Sequence, residues 1–131
     1  MNRIFIPLAG TALALAALVS QAQAGSKDYE FQPVQAEVKA GAGGDVAVRL
    51  VQKTQGTPVA NAVIFRSRLD MSPDGMGDMT GALAAGPSGE PGVYRFKAVP
   101  TMAGKWALKL MAKVPGESET VEGSVIVTAK D

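Results

Sequence analysis

Cysteine and histidine are both absent from this chain. Their absence removes Ser–His and Cys–His catalysis, because the usual base or nucleophile is missing. It also removes zinc sites of the nitrogen and sulfur type and the side chain that ordinarily titrates near neutral pH. With no disulfide to staple it, the fold has to stand on its hydrophobic core. An excess of positive charge is lacking too, with 13 basic against 12 acidic residues. Nucleic-acid binders carry a basic face, so nucleic acid is not an expected partner. No carboxylate pair, phosphate-cradling glycine loop or nucleophile motif stands out, and an enzyme is not expected.

The N-terminus carries a strong export signal. Met1, Asn2 and Arg3 form a short positive region, and an apolar run follows from Ile4 to about Val19. Ala22 and Ala24 in Ser20-Gln21-Ala22-Gln23-Ala24 are the small residues of a signal-peptidase site. The run is short for a membrane span, which needs roughly 20 apolar residues, and no charged flank follows to stop transfer. The competing reading is an uncleaved N-terminal anchor; the Ala-x-Ala site argues against it. With no cysteine at that point, a bacterial lipoprotein is excluded. Residues 1–24 are therefore expected to be a secretory signal peptide and residues 25–131 one exported domain, periplasmic and not inserted in the membrane. Arg3 is the only charge in the leader, so the remainder is formally neutral.

The rest reads as short strands between turn signals, with no amphipathic helix of credible length. Tyr29 to Val38 is extended, with Pro33 pointing to a sheet edge. Asp45 to Gln52 alternates, with Val46, Val48 and Leu50 on one face. Val59 to Leu69 places Val63, Phe65 and Leu69 on one parity and Arg66 and Arg68 on the other. Thr80 to Ala85 is a short candidate strand before the turn cluster Gly86–Gly92. Val93 to Val99 groups Tyr94, Phe96 and Ala98. Lys105 to Lys113 sets Trp106, Leu108 and Leu110 against Lys105, Lys109 and Lys113, the lysines reading as an edge guard. Val121 to Thr128 closes the set. Six or seven strands at this spacing predict an all-β, immunoglobulin-like antiparallel sandwich. Gly92-x-Tyr94-x-Phe96 is similar to the tyrosine corner of such domains; the alternative is a plain core tyrosine.

One stretch carries candidate chemistry, Asp70 to Met79. It holds three of the five methionines after residue 24, Met71, Met76 and Met79, in a segment whose Pro and Gly residues predict a loop. Thioether sulfur is soft and neutral, suits Cu(I) and Ag(I), and is a poor ligand for Mg(II) or Ca(II). Asp70, Asp74 and Asp78 do not match the EF-hand calcium pattern. Met102, beside a turn, is a candidate fourth ligand, whereas Met111 shares the parity of the lysines. The same methionines also suit an adaptable contact surface for a partner protein, and the residues alone leave both readings open.

Three segments together resemble the YtkA-like/FixH-like domain family. Thr57-Pro58-Val59-Ala60-Asn61-Ala62-Val63 is similar to its G-x-P-V-x-G-A-x-V segment. Gly92-Val93-Tyr94-Arg95-Phe96 is similar to its G-x-Y strand, and Met102-Ala103-Gly104-Lys105-Trp106-Ala107-Leu108 to its M-x-G-x-W-x-L segment. The resemblance spans roughly residues 30 to 128. It implies an exported immunoglobulin-like sandwich and an accessory role in copper or heavy-metal handling, with efflux components as partners and Cu(I) or Ag(I) held by Met71, Met76 and Met79. The chain departs from the family in lacking histidine, which disfavours Cu(II). The alternative is an adaptor module of an envelope transport complex.

Cleavage is expected after Ala24. Mass spectrometry of the exported protein should find an N-terminus at Gly25; an intact Met1 on that protein would refute the signal-peptide reading.

Overall fold

The computed structural model describes residues 26–131; the leader and its cleavage site lie outside the described residues. Nine strands make up the domain: β1 (Tyr29–Gln35), β2 (Glu37–Lys39), β3 (Gly44–Gln52), β4 (Thr57–Pro58), β5 (Val63–Met71), β6 (Met76–Gly86), β7 (Val93–Val99), β8 (Gly104–Lys113) and β9 (Val121–Lys130). Seven are long; β2 and β4 have three and two residues. Single 3-10 turns cover Ser26–Asp28 and Ser72–Asp74. Among the described residues no helix is long and apolar enough to cross a membrane.

The strands form an immunoglobulin-like sandwich. One sheet runs β1-β3-β7-β6, with β4 on β3, and the other runs β6-β5-β8-β9-β2. All pairings are antiparallel except β2 with β9. β1, with Pro33, is an edge strand as its sequence predicts. Strand β6 belongs to both sheets. Its first half pairs with β5 (Leu69 opposite Gly81) and its second half with β7 (Ala82 opposite Val99). Gly81 marks the change of sheet. A Cβ there would come within 2.7 Å of the Val99 carbonyl oxygen and 2.9 Å of a Leu69 methyl, so the crossing is too tight for any side chain.

The core fills the space between the sheets. Val46, Val48 and Leu50 of β3 meet Trp106, Leu108 and Leu110 of β8 and Val121, Val125 and Val127 of β9, all buried as their alternation predicts. β5 departs from its predicted parity. Its register with β8 jumps between Ile64 and Arg66, leaving Phe65 as a bulged residue. The extra residue reverses the parity of everything N-terminal to it. Leu69 and Met71 are buried, whereas Val63 is 61% and Phe65 50% exposed. The lysines of β8 are exposed, but β8 lies between β5 and β9 and guards no edge.

Two of the family-like segments are joined by one side chain. The Tyr94 hydroxyl donates to the Val59 carbonyl and accepts from the Ala62 amide. Those partners lie 35 and 32 residues upstream, so Tyr94 clamps the β4–β5 connection rather than its own corner. Tyr29 makes a comparable tie, donating to a Glu117 carboxylate oxygen at 2.8 Å; burial and that carboxylate push its pKa up to about 12.

Trp106 is fully buried and its Nε1–H donates to the Met102 carbonyl at 3.0 Å. Trp106→Ala is expected to cost about 3–5 kcal/mol, a large share of the roughly 5–15 kcal/mol that holds a typical domain together. A melting temperature equal to wild type would contradict this packing.

Candidate functional site

The segment predicted as a methionine loop is a β-hairpin. β5 continues to Met71, the chain reverses through the single turn Ser72–Asp74, and β6 starts at Met76, directly opposite Met71. Gly75, at φ 78°, closes the turn in the left-handed region. The register then shifts between Asp70 and Met71, so that Asp70 pairs with Thr80 and Met79 falls in the irregular stretch.

The hairpin sorts its methionines by depth. Met71 is 1% exposed and belongs to the core, which the loop reading did not anticipate. Met76 (39%), Met79 (36%) and Met102 (41%) are exposed. Met102 reaches the same end of the sandwich because the β7–β8 turn lies against the hairpin. Gly104 is the contact point: a Cβ built on it would sit 2.7 Å from both the Met71 methyl and an Asp74 carboxylate oxygen. The neighbouring Lys105 amide donates to that Asp74 oxygen at 3.0 Å. Met111, half-buried on β8 opposite Arg66, is elsewhere.

A buried carboxylate braces the hairpin. Asp70 is 1% exposed, and its Oδ2 accepts from Arg68 Nε at 2.7 Å and lies 3.0 Å from Lys109 Nζ. Its Oδ1 accepts from the Ser72 amide at 3.0 Å, which fixes the start of the turn. Arg68 also donates to the Gly77 carbonyl at 2.9 Å, so one guanidinium ties β5 to β6. Burial alone would raise the Asp70 pKa. The hydrogen bonds from Ser72, Arg68 and Lys109 outweigh burial and hold it well below the usual carboxylate range. Sequence reading missed this role; the signal was the Arg68-x-Asp70 spacing on one face of β5.

Among the described residues, no group of three or more Asp or Glu side chains is placed to hold a metal ion. The soft donors exposed at this end are the thioethers of Met76, Met79 and Met102, and Met71 is buried.

The chain belongs to the YtkA-like family, whose model matches residues 23–111. No curated protein matches it. Solved structures with some likeness include the Lin-41 filamin domain, at 17% identity and TM-score 0.45, covering 75% of this chain and 93% of that one. Another is the ZirS C-terminal domain, at 11% identity and TM-score 0.40, covering 92% of this chain and 81% of that one.

Asp70→Asn keeps the shape but removes the charge that Arg68 and Lys109 face, and should cost about 1–3 kcal/mol at neutral pH. The folded pKa of Asp70 lies below its unfolded value of about 3.9, so its contribution is complete above that value and declines as pH falls through and below it. Denaturation of both proteins should therefore show a constant stability gap above about pH 5 that narrows below about pH 4. A gap that stays constant into strong acid would mean that Asp70 is not the charged brace of the hairpin.

Proposed function

We infer that this protein is an exported soft-metal carrier or accessory protein of heavy-metal homeostasis, taking Cu(I) or Ag(I) as cargo on the thioethers at the hairpin end. The observation that carries this reading is that Met76, Met79 and Met102 are all exposed at the end of the sandwich where the hairpin meets the β7–β8 turn. Thioether donors favour monovalent soft ions, and the chain has no cysteine or histidine to compete for them. Membership of the YtkA-like family supports the reading. The Asp70 brace supports it as well, because a fixed hairpin lowers the ordering cost of gathering flexible methionines around one ion. In this role the protein would work beside components of a metal-efflux system, with no covalent cofactor.

Titration with Cu(I) against a chromophoric competitor tests the assignment. One ion should bind per chain, and affinity should hold from neutral pH to about pH 5, because thioethers carry no proton to gain. Met76→Leu, Met79→Leu or Met102→Leu should each weaken binding, and the Met71→Leu/Met76→Leu/Met79→Leu variant should abolish it while melting as a folded domain. Wild-type affinity in that triple variant would reject the metal site and leave the exposed methionines as a contact surface for an envelope partner.

A further inference from the structure

The sheet change at Gly81 leaves a second feature, at some remove from the hairpin. Once β6 has turned away to pair with β7, β5 keeps only β8 as a neighbour over Val63–Arg68. In the same way, β6 has only β7 beside it over Ala82–Gly86. The two strands therefore face one another across a gap, each with one edge unpaired among the described residues. A groove of about 600 Å³ fills that gap, with Ile64, Phe65 and Arg66 on one wall and Ala85 on the other. Tyr94, half-buried, and the buried Phe96 line it from β7. An unpaired strand edge presents alternating N–H and C=O groups that only another extended chain can satisfy in series.

The charges lining the groove select the occupant. Arg66 and Arg95 line it against one carboxylate, Glu90. Neither guanidinium has a hydrogen-bond or ion-pair partner among the described residues. A second copy of this chain is a poor fit. Antiparallel pairing of β5 with itself about Arg66 or Ser67 would set Arg66 against Arg66 or Arg68 of the other copy, and like charges directly opposite are destabilising. The exposed Val63 and Phe65 offer apolar contact to an added strand.

We propose that this groove is a docking site for an extended segment of a partner protein, apolar at alternate positions and acidic between them, which adds as a strand to the Val63–Arg68 edge of β5. Apolar side chains on one face of such a strand would enter the opening beside Ile64, Tyr94 and Phe96, and its carboxylates would meet Arg66 and Arg95. The unpaired stretch accommodates about five or six residues at roughly 3.4 Å each.

Peptides about seven residues long, alternating glutamate with valine, isoleucine, leucine, phenylalanine or tyrosine, are the probe, followed by amide chemical shifts of the ¹⁵N-labelled protein. At least one peptide of the set should saturate, moving the amides of Val63–Arg68 and Ala82–Gly86 and sparing the methionine hairpin. The Arg66→Glu/Arg95→Glu variant should bind that peptide at least about tenfold more weakly. It should bind the lysine counterpart more tightly than wild type does, a reversal that an unfolded variant could not give. Three results would overturn the proposal: no shift with any of the set at millimolar concentration, shifts confined to another surface, or an affinity indifferent to the charge reversal. Self-association that moves the same amides without peptide would also overturn it, in favour of a second copy as the occupant. None of these outcomes depends on whether the hairpin binds metal.

Discussion

One strand serves two sheets, and the geometry of its crossing sets most of the rest. β6 leaves β5 at Gly81 and joins β7 at Ala82, where backbone, a Leu69 methyl and the Val99 carbonyl leave no room for a Cβ. Because β6 pairs with β5 only at the hairpin end, Met71 and Met76 are held opposite one another there. Because β6 then departs, the remainder of β5 has an open edge. The methionine cluster and the groove are thus consequences of a single crossing. They lie at opposite ends of the same strand, where a ligand at one need not obstruct a ligand at the other.

The short motifs that carry the family resemblance are architectural in this chain. Tyr94 binds the backbone at Val59 and Ala62, which joins the Pro58–Val59 segment to the Gly92–Tyr94 strand. Trp106 closes on Met102 by its indole N–H, and Gly104 admits the hairpin against the β7–β8 turn. Each motif residue holds one connection against another, at a distance of tens of residues in the chain. Such residues hold this fold together. They say little about cargo, which depends on the side chains that the scaffold leaves exposed.

How much of this was legible in the sequence depended on whether period two survived. In β3, β8 and β9 it did, and the alternating valines, leucines and Trp106 are the core. In β5 one bulged residue broke it, and no local pattern announces a bulge at Phe65, since the jump is fixed by pairing with β8. Val63 and Phe65, assigned to the core by parity, are exposed for that reason. The Pro73 and Gly75 that suggested a long loop instead make a single tight turn, with Met71 continuing the strand into the core. The lysines of β8 looked like an edge guard because strand order cannot be read from one strand. Lys109 is in fact a partner of Asp70 on the neighbouring strand.

Asp70 connects the physics of the hairpin to the chemistry proposed for it. An ionised carboxylate withdrawn from water is normally a liability. This one is offset by Arg68, Lys109 and the Ser72 amide, whose charges and dipoles favour the ionised form. Its pKa is depressed accordingly, so the brace keeps its charge in mildly acidic surroundings. Thioether ligands are equally indifferent to protons in that range. A histidine-based site would release its metal as the ring protonates near pH 6.5, however well its scaffold held. In this chain neither the candidate donors nor the group that fixes their strand titrates between neutral pH and about pH 5. The absence of histidine thus removes the usual source of acid sensitivity, and the Asp70 cluster keeps the hairpin from supplying another.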